Sequence, residues 1–361
     1  MANARDLPRT EARIPLVLLT GFLGSGKTTL LNFWLQSPLL ANAAVIVNEL
    51  GDVGIDHAII ACGNDNSIEL TTGCMCCTVS GDLVATLFDL ATRRARGEIR
   101  PFDRVIIEST GLADPAPVIQ ALMTPPVTHS FHLARVMATV DAVQGARTLE
   151  RHLESRKQIA MADDIVLTKL DLARDSGSEV RRLLERLNPA AAIHLSSGSN
   201  PHVADAFQEV EAFDPSSRVG NARRWLNANA YTRIPGTPVS VEAKRGIWAG
   251  HDVISPRMRR HDADIGSFCL EFSSPLEWRH VDGWLDALTT VHGDDLLRVK
   301  GILDIAGRER PVVVHAVQRM FHLPIELPAW PSAERISRIV FITRNVTSAV
   351  VLAELEARQR V

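Results

Sequence analysis

The stretch GFLGSGKTT (Gly21 to Thr29) lies directly after the apolar run IPLVLLT (14–20) and leads into TTLLNFWLQS (28–37), whose spacing is helical. Gly21, four residues, then Gly26, Lys27 and Thr28 satisfy the pattern GxxxxGK[ST] in the strand–loop–helix context that it needs. Glycines let the backbone turn tightly, so successive N–H groups point inward at phosphate oxygens, and the helix N-terminus adds its positive end. Gly21, Gly24, Ser25, Gly26, Lys27, Thr28 and Thr29 are therefore the expected nucleotide contacts. Lys27 would neutralise the β and γ phosphates, and the Thr28 hydroxyl would ligate Mg²⁺. A mere glycine turn opening a helix would not require Lys and Thr in succession.

Working outward, short β-branched runs alternate with helix-like segments through the first two hundred residues. AVIVNEL (44–50), RVIIEST (104–110), RVMATVDAV (135–143), DIVLTKLDL (164–172) and AAIHLSS (191–197) are apolar on both faces, as strands of a covered parallel sheet are. Between them, DLVATLFDLATRRAR, APVIQALM, ARTLERHLESRKQIAMAD and SEVRRLLERLN carry polar faces at helical spacing. This alternation predicts an α/β fold, a P-loop NTPase-type doubly wound, mostly parallel sheet, over residues 12–208. The stretch FDPSSRVGNARRWLNANAYTRIPGTP, rich in Pro, Gly, Ser and Asn with little periodicity, reads as a linker, placed at residues 209–234. Residues 235–361 restart with several strands and two helices, and predict a second, smaller α+β domain.

Two further motifs fall at strand ends. RVIIESTGLADP puts Glu108 at the tip of an apolar strand, the Walker B position that helps to hold Mg²⁺, with Gly111 placed to bring a backbone N–H to the γ-phosphate. The segment after it would then sense hydrolysis. Thr168, Lys169 and Asp171 of DIVLTKLDL resemble the [NT]KxD signature of GTP-binding proteins, with Thr where many have Asn. A carboxylate at Asp171 can accept from guanine N1–H and its exocyclic amine, a donor pair that adenine lacks. The Lys169 stem can lie over the base, and Ser196, after the next strand, can supply backbone contacts to the guanine oxygen.

The 361 residues are 46% hydrophobic and 22% charged, with a formal net charge of −3, so no general attraction to nucleic acid or to anionic lipid is implied. No apolar run approaches the roughly 20 residues of a membrane span, and the first residues lack the apolar core of a signal peptide. Five cysteines, three of them in GCMCCT (73–78), do not form a disulfide framework. They point to a reducing compartment, hence a cytoplasmic location.

GFLGSGKTTLL, NELGDVGID, GCMCCT, ESTGLADPAPV and TKLD, in this order, resemble the CobW-like P-loop GTPases, metal-chaperone relatives of the hydrogenase and urease nickel-insertion GTPases. LLRVKGIL, HAVQ and RISRIVFI are similar to that family's C-terminal domain. The resemblance implies that NELGDVGID is a switch, with Glu49 and Asp52 as the oxygen ligands it offers; Asp52 stands where relatives often carry Glu. Cys74, Cys76 and Cys77 are soft thiolates, which favour Zn²⁺, Cu(I) or, less strongly, Co²⁺ over Mg²⁺, and Zn²⁺ or Co²⁺ is the expected metal. Two of the thiolates with an outside ligand fit as well as all three, and a redox pair or a buried loop is the competing reading. His57, His251 and His261 are isolated and are not taken as ligands.

The expected function is a GTP-hydrolysing metallochaperone. Lys27, Thr28 and Glu108 would serve catalysis with Mg²⁺, and Cys74, Cys76, Cys77 and Glu49 would hold the transferred metal. GTP would order the site, and hydrolysis to GDP would release metal to a client metalloprotein, with homo-oligomer formation an open option. The rivals are a GTP-gated zinc sensor or store, and a P-loop kinase for a small molecule.

Overall fold

A computed structural model describes residues 13–47, 57–60, 68–71, 79–173, 175, 177–197, 222, 226–236 and 265–359. Its first sheet has eight strands. These are β1 (Ile14–Gly21), β2 (Ala43–Val47), β3 (His57–Ile60), β4 (Ile68–Thr71), β5 (Arg104–Glu108), β6 (Phe131–Asp141), β7 (Asp164–Thr168) and β8 (Ala192–Leu195). They lie in the order β4-β3-β2-β5-β1-β6-β7-β8. The six from β2 to β8 run parallel, and β3 and β4 extend one edge antiparallel. The expected doubly wound sheet is present, and the β3–β4 hairpin is an addition that the sequence reading lacked.

Helices α1 (Lys27–Leu35), α2 (Val79–Ala95), α3 (Pro115–Leu122), α4 (Val127–Ser130), α5 (Gly145–Arg151), α6 (Leu153–Met161) and α7 (Ser178–Leu187) cover this sheet. Both faces are therefore buried. Val17 and Leu19 pack with Leu30 and Trp34 of α1, whereas Leu16 and Leu18 pack with Leu87 of α2 and Leu122 of α3. The stretch read as one helix, ARTLERHLESRKQIAMAD, is two, because His152 adopts an extended conformation between α5 and α6.

The second sheet holds β9 (Arg233–Pro235), β10 (Ile265–Phe272), β11 (Leu296–Leu303), β12 (Val312–Val317), β13 (Met320–Phe321), β14 (Ile325–Glu326) and β15 (Ser337–Arg344). Helices α8 (Trp278–His292) and α9 (Ser348–Gln359) cover one face, where Ile339 and Phe341 pack with Trp284 and Val351. The alternate residues Val340 and Ile342 join the other cluster, which continues into Leu122, Ala160 and Met161 of the first domain. A run apolar on both faces, such as RIVFI, is the sequence form of a strand covered on both sides. The stretch read as a linker contributes to this core as well: Leu226, Ala228 and Tyr231 are buried in it.

Candidate functional site

The phosphate loop leaves β1 at Gly21, which has φ 141°. A Cβ there would stand 2.3 Å from the Thr139 hydroxyl and 2.6 Å from its carbonyl oxygen, so only glycine fits. Gly24 and Gly26 also take positive φ, and Gly26 caps α1 in the left-handed conformation. Ser25 is held by a 2.6 Å hydroxyl contact with Thr139 of β6. Lys27 is buried and donates from Nζ to the carbonyls of Gly21 (2.9 Å) and Phe22 (3.3 Å), so its ammonium folds over the loop it belongs to.

Glu108, at the end of β5, is 3% exposed, and its Oε1 accepts from Thr28 Oγ1 at 2.6 Å. The parallel pairing of β5 with β1, with Glu108 opposite Leu19, brings this carboxylate to the loop across 80 residues of chain. Thr28 and Glu108 offer an all-oxygen donor set, the set a hard divalent cation takes. Gly111 lies where a Cβ would meet the Leu23 backbone nitrogen at 2.7 Å, so the segment after β5 touches the phosphate loop. That segment is held from below by the fully buried Gln158 of α6, whose Nε2 donates to Gly111 O (3.2 Å) and Ala113 O (3.1 Å). Asp114 caps α3 through the Ala116 amide and pairs with Lys157 at 2.5 Å.

The TKLD segment closes the other side. Thr168 Oγ1 donates to Ser25 O at 2.7 Å, and Lys169 Nζ donates to Gly24 O at 2.7 Å. Lys169 has a left-handed φ of 58°, rare for a residue with a side chain and common where function imposes the conformation. Asp171 is exposed in the turn that follows, and Ser196 is tied to the same loop by its amide to Leu167 O (2.9 Å) and its carbonyl to the Leu170 amide (3.4 Å). Thus Gly21, Gly24, Ser25, Gly26, Lys27, Thr28, Glu108, Gly111, Thr168, Lys169 and Ser196 converge around one mouth at the carboxyl ends of the parallel strands, with Thr29 exposed on the first turn of α1.

Asp141 was not among the residues singled out from the sequence. Its Oδ2 receives Lys169 Nζ at 2.7 Å, and its Oδ1 receives the amides of Val143 (2.7 Å) and Gln144 (3.1 Å). Its one signal was its position, last residue of an apolar strand in the series that ends at the nucleotide site. Glu49, Asp52, Cys74, Cys76 and Cys77 lie outside the described residues, as do His251 and His261. Among the described residues there is no group of three or more His, Cys, Asp or Glu side chains able to hold a metal ion. Among those residues, too, no helix is long and apolar enough to cross a membrane.

A glycine loop with an inward Lys, a Thr–carboxylate pair at its rim and the Thr168–Asp171 turn bonded to its other side define a P-loop nucleotide-binding protein. The chain matches the CobW/HypB/UreG nucleotide-binding domain over residues 15–195 and the cobalamin synthesis protein CobW C-terminal domain over residues 265–359. It belongs to the CobW family. It is 31% identical to the zinc chaperone YjiA of Escherichia coli over 335 residues, 91% of this chain and 93% of the relative. It is 30% identical to the zinc chaperone CobW of a Sinorhizobium species, with 96% and 98% covered. The crystal structure of Zn(II)-bound YjiA GTPase from E. coli superposes with a TM-score of 0.66 at 29% identity, covering 96% of this chain and 99% of that one.

Proposed function

We propose that the protein is a GTPase that carries zinc and delivers it to a client metalloprotein, the two nucleotide states setting the affinity for the metal. The observation that carries the GTPase half is the joining of Lys27, Thr28 and Glu108 in one loop mouth, with Lys169 of the TKLD turn bonded to the same loop. The metal half rests on the CxCC sequence of Cys74, Cys76 and Cys77 and on the names of the relatives, zinc chaperones and zinc-regulated GTPases among them. Those names favour zinc over cobalt.

In the reaction, water attacks the γ-phosphorus, the bond to the β–γ bridging oxygen breaks, and GDP and phosphate leave. Lys27 exchanges the neutral carbonyls of Gly21 and Phe22 for charged phosphate oxygens, a stronger set of acceptors. Loop amides and the α1 N-terminus stabilise charge on the transferring group. Thr28 and Glu108 would hold Mg²⁺, which when bound neutralises charge on the β and γ phosphates. Asp171 selects guanine, Lys169 supports the base, and the Gly111 segment responds to the γ-phosphate.

Zinc is cargo here, held by thiolates of the CxCC motif with Glu49 as a candidate oxygen ligand. The motif falls in sequence between the NELGDVGID switch and the Glu108 strand, so metal and γ-phosphate would bias the same segments. Only differential affinity for two states can convert hydrolysis into release. The test is a zinc titration against a competing chelator with a non-hydrolysable GTP analogue and with GDP. Zinc should bind more tightly in the triphosphate state, and Cys76→Ser should abolish the difference. Equal affinity in both states would refute the delivery mechanism.

A further inference from the structure

The phosphate loop and the TKLD turn are built on different strands, yet side-chain contacts join them. One of these contacts is made by an ammonium. Lys169 Nζ lies 2.7 Å from Gly24 O in the phosphate loop and 2.7 Å from Asp141 Oδ2 at the end of β6. Asp141 is fixed in turn, because its other oxygen accepts the Val143 and Gln144 amides. A lysine with four rotatable bonds, 37% exposed, would otherwise sample many positions, and holding it costs side-chain entropy. The carboxylate fixes it in the geometry that spans both ends.

From this, and resting on the reading of TKLD as the base-reading turn, we infer that Asp141 is a positioning residue for nucleotide binding. It holds the Lys169 ammonium on the Gly24 carbonyl, so that the Lys169 stem forms a shelf for the base and the phosphate loop is set before GTP enters. Preorganisation of this kind raises affinity by lowering the ordering cost of binding. The state of the carboxyl agrees with the geometry. Burial pushes it up, but the Lys169 hydrogen bond and the two amides outweigh burial and hold it below the usual value.

The variants separate this role from a structural one. Asp141→Asn keeps an oxygen for the Val143 and Gln144 amides while removing the charge that holds Lys169. Asp141→Ser keeps a smaller acceptor for the turn and serves if Asn disturbs folding. Affinity for a fluorescent GDP analogue and for GTP should fall together by about tenfold, with the melting temperature of the nucleotide-free protein nearly unchanged. In a Lys169→Met background the same substitution should change affinity less than about twofold, because residues acting through one contact are not additive. Full tenfold losses in both backgrounds, or no loss in the wild-type background, would overturn the inference. Asp171→Ala tests the underlying reading separately. It should erase the preference for GTP over ITP, which lacks the exocyclic amine, whereas Asp141→Asn should leave that ratio intact. A preserved GTP preference in Asp171→Ala would refute the base assignment and leave the Lys169 cycle to judge Asp141.

Discussion

Lys27 and Thr28 sit side by side on the first turn of α1 but contribute differently. Lys27 is buried with its ammonium on loop carbonyls, so removing it takes away a charge held within the phosphate loop. Lys27→Ala should reduce GTP turnover by at least about a hundredfold with little effect on melting temperature, read by phosphate release. Thr28→Ala removes the partner that Glu108 holds at 2.6 Å, and its turnover should lose its dependence on added Mg²⁺. On the proposed reading, Asp171 acts on specificity. Asp171→Asn places an amide donor where a carboxylate accepted, so GTP affinity should fall by about a hundredfold while XTP, with an oxygen in place of the amine, gains. Competition between the two nucleotides would measure it.

Helix α6 has more partners than its nine residues suggest. Gln158, on its buried face, grips the segment after Glu108 by two carbonyls, and Met161, at its end, accepts from Arg298 of the second domain. The helix thus touches both the segment expected to sense the γ-phosphate and the sheet that follows. Gln158→Leu conserves volume but releases Gly111 and Ala113. It should lower kcat about three- to tenfold with a smaller change in GDP affinity, since misplacement of a catalytic segment affects the transition state more than ground-state binding. Single-turnover kinetics would separate the two effects. Equal losses in both quantities would point to general loosening of the site.

The two domains are locked by charge as well as by the shared apolar core. Asp163, in the turn before β7, meets Arg298 at 2.9 Å and Lys300 at 2.7 Å, both on β11, and also takes the Val136 amide. Burial raises the Asp163 carboxyl, but the two cations overcome it and hold it far below its usual value. Burial lowers the Lys300 ammonium to about 8, with Arg298 acting in the same direction and Asp163 against it. Asp163→Ala leaves two cations without this partner inside the interface and should cost about 3–5 kcal/mol in urea unfolding. Nearby, a cavity of about 460 Å³ between the domains is lined by His132, His315, His322, Leu122, Leu133 and Val313. Burial pushes His322 down to about 4 and His315 well below its usual value. Both are therefore neutral when folded and take up protons on unfolding once the pH falls below about 6.5. Unfolding then binds protons, so stability is full above about 6.5 and declines as pH falls toward 4. Replacing both histidines by Gln should flatten the melting temperature between pH 7 and 5.

Much of this was legible in the chain. GFLGSGKTT, Glu108 and Thr168-Lys169-Leu170-Asp171 each carry their chemistry within a few consecutive residues, and apolar runs place them at strand ends. Local periodicity and motif spacing therefore sufficed for the parallel part of the sheet and for the phosphate loop. The break at His152 was hidden, because residues on both sides have helical spacing and the extended conformation there leaves no mark in a pattern. Asp141, Gln158 and Asp163 were hidden for another reason. Each is an ordinary polar residue in its local stretch and acquires its task from a partner 28, 47 or 137 residues away. Motif spacing specifies chemistry that lies close along the chain. Long-range pairing of strands and helices assigns the remaining roles, because only folding brings those groups within hydrogen-bonding distance.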